Sequence, residues 1–359
     1  MRIRYSTEKD GRPVKKAIVY TQDEHGIDSS KVDTDAVMIV KRLRANGFET
    51  YIVGGAVRDL ILGQAPKDFD IVSDASPANI RQLFRNARII GHRFRLVHVA
   101  LGAKLFEVST FRSLKDGLTS NTYGTIEEDV QRRDFSMNAL FYDPIEQLVV
   151  DYVDGMKDIW KKQVRPIIPL STIFTDDPVR MIRAVKYGAT TGFHIPLQVQ
   201  WKIRRQVSLL SSVSPSRLTE EIFKIIHSPH AAHIVENLNA LGIYAYLQPN
   251  AAARMQNHEF NAQYLQRLAA EKTNMEQALA SLIAAFLEND NSIVWDEAHF
   301  KEVCLAARSF ILPMNPPRVL LDRAVRLLFK EHDVIVKRAP WFANNSYRRK
   351  RSARRDTDA

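Results

Sequence analysis

The sequence predicts a mixed α/β region, then an all-helical region, then a disordered basic tail. Three observations support this prediction. Short apolar runs alternate with helical periodicity up to about residue 167, helical periodicity dominates beyond Ser171, and residues 337–359 show no apolar period. With 359 residues, 45% of them hydrophobic and 26% charged, the chain has the composition of a globular protein of two or three packed units.

The charge balance and the single cysteine narrow the classes of protein. The chain carries 51 Lys and Arg against 41 Asp and Glu, a net charge of +10, which favours nucleic acid, an anionic membrane surface or a polyphosphate substrate as partner. Cys304 is the only cysteine, which excludes an intramolecular disulfide and a thiolate metal cluster. The N-terminal residues lack a signal-peptide pattern, and the apolar run 279–287 is far shorter than the ~20 residues of a membrane span. We therefore expect a soluble, cytoplasmic protein without a membrane partner.

Periodicity and turn residues define the elements of the α/β region. Residues 1–32 are polar and irregular, and residues 113–129 have the composition of a mobile loop. From Arg132 a further helix is predicted to carry Phe135 and Leu140. The other predicted elements are helices over 33–46, 56–62 and 77–85, and strands over 51–53, 68–72, 95–101, 104–111 and 148–153.

The rest of the chain shows the apolar spacing of successive helices. These are predicted over 176–190, 198–210, 215–227, 230–241, 260–288, 295–310 and 316–332. The pattern divides the chain into an N-terminal arm 1–32, an α/β head 33–167, a helical neck 168–230, a helical body 231–336 and the basic tail 337–359.

Two acids on a predicted strand point to metal chemistry. Asp68 and Asp70 lie at i and i+2, which on a strand places both side chains on one face with Cα atoms ~6.5–7 Å apart. Such carboxylates repel each other unless a cation lies between them, and Mg²⁺ takes oxygen ligands from one or two carboxylates plus substrate phosphates. Two such ions ~3.5–4 Å apart would clamp the attacking and leaving oxygens of a phosphoryl displacement. The alternative is the solvent-facing side of an edge strand.

A glycine pair and a third acid add to this pattern. Gly54 and Gly55 allow the backbone to approach a phosphate closely at the start of a helix, and Arg58 lies one turn further on. The alternative is an ordinary turn, but the conjunction of the glycine pair with the two acids favours phosphate binding beside a metal. Glu107 is the only acid in the apolar strand 104–111, so it is either a third catalytic carboxylate or exposed at the rim.

Three segments in order carry a resemblance to a known family. They are Gly54-Gly-Ala-Val-Arg-Asp-Leu-Ile-Leu-Gly63 with Lys67-Asp-Phe-Asp70, then Arg132-Arg-Asp-Phe-Ser-Met-Asn-Ala-Leu140, then Asp176-Asp-Pro-Val-Arg-Met-Ile-Arg-Ala-Val-Lys-Tyr187. Together they resemble the bacterial template-independent RNA nucleotidyltransferases of the polymerase-β superfamily, a class that contains the poly(A) polymerases and the CCA-adding tRNA enzymes. The resemblance runs from about residue 33 to 227 and continues weakly to about 332. It implies a polymerase-β-like α/β head followed by an all-α neck and body.

The resemblance implies a role for each matching residue. Asp68 and Asp70 match the metal-binding catalytic pair, which uses two Mg²⁺ ions, with Mn²⁺ as a substitute, and ATP as substrate. The triphosphate-binding turn and helix are matched by Gly54, Gly55 and Arg58. The motif that contacts the ribose is matched by Arg133, Asp134 and Asn138, with Asp134 often counted among the catalytic acids. The base-selecting and phosphate-binding motif of the neck is matched by Asp177, Arg180 and Arg183.

The chemistry of the neck motif is consistent with that role. Asp177 and Arg180 are i, i+3 neighbours, so an acceptor and a donor would face the same way and could select a base by its hydrogen-bonding edge. As an alternative, Asp177 is an N-cap followed by Pro178 at N1, and Arg180 and Arg183 belong to a solvated basic face. The sequence departs from the family in Asp176, where Glu is usual, and in Lys186-Tyr187, where Arg-Phe is commoner.

Two activities within the family remain open. Segments 88–99, 213–221 and 314–317 are similar to poly(A) polymerases, which favours addition of AMP to RNA 3′ ends over CCA addition to tRNA. His92, Arg93, Arg95 and His98 would line an RNA or nucleotide path, or else form a polar strand face with His98 in the core. A non-catalytic RNA-binding protein on the same scaffold is the alternative from another class, and the intact acids argue against it.

Most of the net charge lies in the tail. Residues 337–359 hold eight Lys or Arg and two Asp. We expect this tail to hold RNA electrostatically and without sequence preference. The predicted RNA-binding residues there are Arg348, Arg349, Lys350, Arg351, Arg354 and Arg355.

Overall fold

A computed structural model describes residues 2–7, 13–91, 96–113, 123–337, 339, 340 and 342, with side chains from residue 16 onward. The chain forms two compact units. The first comprises Met1–Arg180 with Gly192–Val199, and the second comprises Met181–Thr191 with Gln200–Ala359. In the described part of the chain, no helix has the length and apolarity that crossing a membrane requires.

The first unit is built on a nine-stranded mixed sheet with strand order β1-β2-β9-β8-β3-β4-β7-β6-β5. Neighbouring strands are antiparallel except β4 and β7, which are parallel. The strands are β1 Arg2–Thr7, β2 Pro13–Tyr20, β3 Thr50–Val53, β4 Asp70–Ser73, β5 Ala87–Ile90, β6 Leu96–Leu101, β7 Lys104–Thr110, β8 Leu140–Asp143 and β9 Leu148–Asp151.

Short helices connect these strands. Helix α2 begins after Asp33, whose carboxylate caps it by accepting from Asp35 N at 2.8 Å, and its apolar stripe of Ile39, Val40 and Leu43 is fully buried. The helices of this unit are α1 Gln22–His25, α2 Thr34–Ala45, α3 Gly55–Ile61, α4 Pro77–Leu83, α5 Ile126–Arg132, α6 Gly155–Trp160 and α7 Ile173–Asp176, with 3₁₀ turns at Ser29–Lys31 and Ser136–Asn138.

The second unit is helical throughout its described residues. Helix α8, Val179–Thr191, and helix α9, Leu197–Gln206, each run across the boundary between the units. Its further helices are α10 Pro215–Ile226, α11 Ala231–Ala240, α12 Tyr244–Leu247, α13 Pro249–Arg254, α14 His258–Ala269, α15 Met275–Glu288, α16 Phe300–Phe310 and α17 Arg318–Glu331, with a 3₁₀ turn at Val207–Ser212. The predicted order of an α/β region followed by helices is therefore confirmed.

The N-terminal residues are not irregular as predicted. They contribute strands β1 and β2, and β2 joins the sheet because Ile18 pairs with Asp151 and Val19 with Val150. Both Ile18 and Val19 are buried. The partner strand lies more than 120 residues away, so a local polarity pattern carries no information about this pairing. The five-part division of the chain stays a prediction.

Two helix predictions are wrong. Helix α5 ends at Arg132 instead of starting there, because Thr125 and Glu128 form a capping box that begins it within the segment predicted to be a loop. The apolar residues after Arg132 belong to a 3₁₀ turn and to β8. The single helix predicted over 260–288 is two helices, α14 and α15, and Asn274 caps the second by accepting from Gln277 N at 2.9 Å.

Candidate active site

The glycine turn and one acid of the predicted pair meet at the end of two central strands. Val53, the last residue of β3, pairs with Asp70, the first residue of β4. Gly54 follows with φ +74°, a left-handed conformation that glycine adopts without strain, and it caps α3. A Cβ atom at Gly54 would lie 3.6 Å from Asp70 Oδ2. The turn and the carboxylate are therefore adjacent, as the sequence motif requires for a phosphate next to an acid.

Asp68 lies outside the strand that was predicted to carry it. Strand β4 begins at Asp70, so the i, i+2 strand geometry does not relate the two acids. Residues 71–73 are all buried instead of alternating, because β4 is an interior strand flanked by β3 and β7. Both Asp68 and Asp70 are exposed to solvent. Their proximity comes from the loop before β4, not from a shared strand face.

The electrostatics of Asp70 reveal a crowded set of acids. Surrounding protein removes hydration from its carboxyl group and, with the negative charges of Glu107 and Asp68, raises the pKa of Asp70 to about 6. The positive charge of Arg133 opposes this shift. The residue is nevertheless open to solvent, so a ligand can reach it. A carboxylate with raised pKa and an open face is a site that a cation would stabilise.

Glu107 lies beside Asp70 on the neighbouring strand. The parallel register pairs Ile71 with Val108, which places Glu107 level with Asp70. Its side chain is 53% exposed, and its Oε1 lies 3.5 Å from Nε2 of His98, its cross-strand partner. Glu107 is therefore exposed, as the rim alternative predicted, and its role as a third catalytic carboxylate stays a prediction. The core alternative for His98, which is half-buried, is wrong. His92, Arg93 and Arg95 lie outside the described residues.

Asn138 connects two arginines of the predicted site. Arg58 Nη1 donates to Asn138 Oδ1 at 2.7 Å, and Arg133 Nη1 donates to the Asn138 backbone oxygen at 3.3 Å. Arg58 and Asn138 are 9% and 7% exposed. Arg58 also donates from Nε and Nη2 to Asp59 Oδ1 at 2.9 and 2.7 Å. The guanidinium of Arg58 is therefore held by Asn138 and Asp59, and it links α3 to the segment that contains Asn138.

Asp129 was missed by the sequence analysis. Its Oδ2 accepts from Arg133 Nε at 3.1 Å and Nη2 at 2.9 Å, and Asp129 is 7% exposed. The pair fixes the direction of Arg133, whose guanidinium carbon also lies 5.1 Å from the centre of the Phe141 ring. The i, i+4 spacing of acid and arginine was the available signal. Asp134 Oδ1 accepts from Phe135 N at 2.9 Å.

The start of the neck helix differs by one residue from the capping alternative, which placed Asp177 at the N-cap and Pro178 at N1. Asp177 Oδ1 accepts from Val179 N at 3.2 Å, so this carboxylate caps the chain entering α8. The helix is assigned from Val179, with Pro178 as its N-cap residue. Arg180 is 7% exposed and its Nη1 donates to Ile173 O at 3.2 Å, so the solvated-face alternative is wrong for this residue.

Arg183 belongs to a charge cluster in the second unit that the sequence did not reveal. Glu221 of α10 is 3% exposed and lies 3.0 Å from Lys186, 3.2 Å from Lys224 and 3.5 Å from Arg183. Although burial opposes ionisation, the charges of Lys186, Arg183 and Lys224 lower the pKa of Glu221. Arg183 therefore has an acidic partner, and Glu221 ties α8 to α10.

The side chains present offer oxygen ligands without a complete metal cluster. Among the described residues, no group of three or more His, Cys, Asp or Glu side chains is arranged to hold a metal ion. Mg²⁺ usually takes one or two protein carboxylates and completes its shell with water and phosphate oxygens. Asp68 and Asp70 fit that requirement by their chemistry and exposure. The six basic tail residues lie outside the described residues.

Family models match two segments of the chain. Residues 50–165 match the family described as "Poly A polymerase head domain". Residues 192–255 match the family described as "Probable RNA and SrmB- binding site of polymerase A". The first segment contains the glycine turn, the acids and both arginines bound to Asn138.

Individual proteins extend the similarity beyond these segments. Poly(A) polymerase I of Salmonella typhimurium is 34% identical over 312 residues, which are 82% of this chain and 64% of the relative. Poly(A) polymerase I of Escherichia coli O6:H1 is 39% identical over 247 residues, 64% of this chain and 52% of the relative. The chain therefore spans less than two thirds of the length of either enzyme. The solved CCA-adding enzyme of Bacillus stearothermophilus in complex with CTP is 28% identical, with TM-score 0.64 over 83% of this chain and 69% of that one.

Proposed function

Because this chain belongs to the family of poly(A) polymerases and tRNA nucleotidyltransferases, we propose that it is a template-independent RNA 3′-end nucleotidyltransferase. It transfers AMP from ATP to an RNA 3′-hydroxyl and releases pyrophosphate. The observation that best supports this proposal is the proximity of the Gly54 turn to Asp70, whose Oδ2 would lie 3.6 Å from a Cβ atom at Gly54. A phosphate-binding backbone and an ionisable acid stand side by side there, open to solvent.

The acids form the reacting end of the site. Asp68 and Asp70 would hold Mg²⁺, as two ions, with Mn²⁺ as a substitute, and Glu107 lies level with Asp70 as a third acid. When bound, the metal supplies positive charge to phosphate oxygens and lowers the pKa of a hydroxyl. Asp134, the remaining proposed catalytic acid, follows Arg133 directly. The carboxylates orient the reactants, and their crowding is relieved only when positive charge arrives.

The nucleotide is held by residues of both predicted motifs. Backbone N–H groups at Gly54 and Gly55 face the triphosphate, and Arg58, locked to Asn138, keeps that turn in place. Arg133 and Asn138, with Asp134, contact the ribose. In the neck, Asp177 and Arg180 select the base by hydrogen bonds to its edge, and Arg183 adds positive charge towards phosphate.

Addition of AMP alone is favoured over ordered CCA addition by the extent of the similarity to poly(A) polymerases. The match to the Salmonella poly(A) polymerase covers 82% of the chain, and segments 88–99, 213–221 and 314–317 are similar to that group. CCA addition to tRNA is the second candidate, supported by the fold shared with the Bacillus CCA-adding enzyme. RNA binding is assigned to the neck, in line with the family model over 192–255, and to the basic tail. The single cysteine supports a reducing, cytoplasmic location.

One assay separates these activities. The protein is given Mg²⁺ with ATP alone, CTP alone or both nucleoside triphosphates together, and either a generic single-stranded RNA or a tRNA that lacks its 3′ CCA. Long A tails on the generic RNA support polyadenylation. A stop after C, C and A on the tRNA overturns it in favour of CCA addition. No incorporation with either RNA leaves only the non-catalytic RNA-binding alternative.

A further inference from the structure

Helix α9 presents an aromatic side chain to solvent in an unusually basic part of the chain. Trp201 is 57% exposed, whereas Ile203, on the opposite side of the helix, is fully buried. The indole is therefore not the residue that anchors this helix to the core. A single exposed aromatic ring is common on protein surfaces, so the groups around it decide what it can bind.

Arg205 lies one turn along the helix from Trp201 and covers part of the ring. Its guanidinium carbon is 4.6 Å from the ring centre, a cation–π contact. The contact restricts both side chains and still leaves more than half of the indole accessible. The pair is thus a partly ordered stacking surface with a positive charge at its edge.

Helix α9 carries a positive charge of its own, whereas Arg183 and Lys186 of the preceding helix share Glu221. Residues 178–219 contain seven Lys or Arg and no Asp or Glu. In the part of the chain that the structure describes, Lys202, Arg204 and Arg205 of α9 form no ion pair. Three cations without an ion pair on about one turn of helix attract a polyanion.

We propose that Trp201 and Arg205 form a stacking platform for an unpaired base of single-stranded RNA. Single-strand binding proteins combine aromatic rings, on which bases stack, with basic groups that follow the phosphates, and both components are present here. Leu197, one turn before Trp201, is also exposed, but the residues next to Trp201 in the sequence are Gln200, Lys202 and Arg204, and this positive charge favours a polyanion over an apolar protein surface. The inference rests on the proposed RNA substrate and names the contact by which the neck holds it.

The test measures RNA affinity in the absence of nucleotide and divalent metal. Fluorescence anisotropy follows a labelled 12-nucleotide oligoadenylate and a matched oligomer in which every base is absent. We expect Trp201→Ala to weaken oligoadenylate binding by roughly 5-fold or more, the loss associated with one base–aromatic stack, and to leave the abasic oligomer unaffected. Trp201→Phe, which keeps a ring, should retain most of the affinity.

Two further variants separate stacking from charge and from general surface effects. Arg204→Ala should weaken both oligomers and reduce the salt slope by about 0.7, the value for one phosphate contact with a single strand. Trp160→Ala is the matched control, since Trp160 is 56% exposed but packs edge-on against Tyr20, and it should bind both oligomers like the parent chain.

Two results would overturn the proposal. Unchanged oligoadenylate binding by Trp201→Ala would exclude RNA stacking and indicate a protein partner instead. An equal loss on both oligomers would show that the indole supports the helix and not a base. Because no nucleotide is present, the test measures RNA binding alone. A failure of the chain to transfer AMP would therefore not change its interpretation.

Discussion

Arg58 and Asn138, 80 residues apart in the sequence, are joined by a 2.7 Å hydrogen bond inside the first unit. This bond ties the start of α3 to the 3₁₀ turn before β8. Both residues are buried, so neither can exchange its partner for water without cost. The phosphate-binding turn and the ribose-contacting segment are therefore proposed to act as one preorganised body.

Removing that bond should affect both stability and nucleotide use. Asn138→Ala leaves the Arg58 guanidinium short of one acceptor, and we expect a loss of about 1–3 kcal/mol in the free energy of unfolding. We also expect a raised KM for ATP. Urea unfolding and steady-state incorporation measure the two effects, and Asn239→Ala, at an exposed site on α11, is the control. A double-mutant cycle with Arg58→Gln should give a coupling energy of at least about 0.5 kcal/mol; strict additivity would contradict the link.

The crowding of acids predicts that activity and stability separate at Asp70. Asp70→Asn should abolish incorporation, and so should Asp68→Ala, while RNA binding is nearly unchanged. The raised pKa of Asp70 means that the fold favours its neutral form, so ionisation lowers stability as the pH rises through about 6. Asp70→Asn should therefore be at least as stable as the parent chain at pH 7 in metal-free buffer. Asp74→Asn, just beyond the other end of β4, is the control expected to keep activity; turnover by Asp70→Asn would remove Asp70 from the mechanism.

Glu221 predicts a strong stability effect in the second unit. Glu221→Gln leaves Arg183, Lys186 and Lys224 without their shared acid. We therefore expect a loss of about 2–3 kcal/mol in the free energy of unfolding. This is less than the ~3–5 kcal/mol of a fully buried pair, because Arg183 and Lys224 stay partly exposed. The adjacent, exposed Glu220 provides the control, and Glu220→Gln should change the free energy of unfolding by less than about 0.5 kcal/mol.

The cluster around Glu221 also makes the free energy of unfolding decrease as the pH falls. Since the pKa of Glu221 is lowered in the folded state, its contribution is present above its unfolded pKa and is lost as the pH falls. The free energy of unfolding of Glu221→Gln should accordingly fall less steeply than that of the parent chain as the pH is lowered. Equal steepness in the two proteins would show that the cluster does not control acid stability.

His25, in the first unit, should make the free energy of unfolding depend on pH in a second range. Its Nδ1 accepts from Ile27 N at 3.0 Å, so Nε2 carries the proton and donates to Gln147 O at 3.1 Å. Burial lowers the pKa of His25, so the neutral form stabilises the fold above pH 6.5 and this contribution is lost as the pH falls towards the folded pKa. His25→Gln should flatten the decline of unfolding free energy below pH 6.5 by at most about 1.4 kcal/mol per pH unit. The exposed His233→Gln should not alter it.

The basic tail is tested by truncation after Phe342. This position retains the bond from Lys337 N to Glu297 Oε1 at 2.6 Å, so the helical body is left as it is. Loss of six cations should weaken RNA binding at low salt and reduce the salt slope, while nucleotide choice is kept. A changed nucleotide preference would contradict the role of an electrostatic tether.

The local sequence determined the motif residues and most helices. Asp33 as a cap and the glycine at φ +74° after β3 follow from interactions within a few residues, which a window of sequence contains. It also determined the order of an α/β region and a helical region, since each depends on apolar period alone. The proposed site residues were found because their motifs are short and ordered along the chain.

Only the tertiary structure decided which of these residues meet. The entry of β2 into the sheet, the join of Arg58 to Asn138 and the burial of Glu221 each depend on partners 35 to more than 100 residues away. The exposure of Glu107 and the position of Asp68 before β4 depend likewise on neighbouring strands. The free energy of such contacts comes from long-range pairing and desolvation, which local propensity does not encode. The sequence therefore determined which groups are available for chemistry, and the fold decided which of them act together.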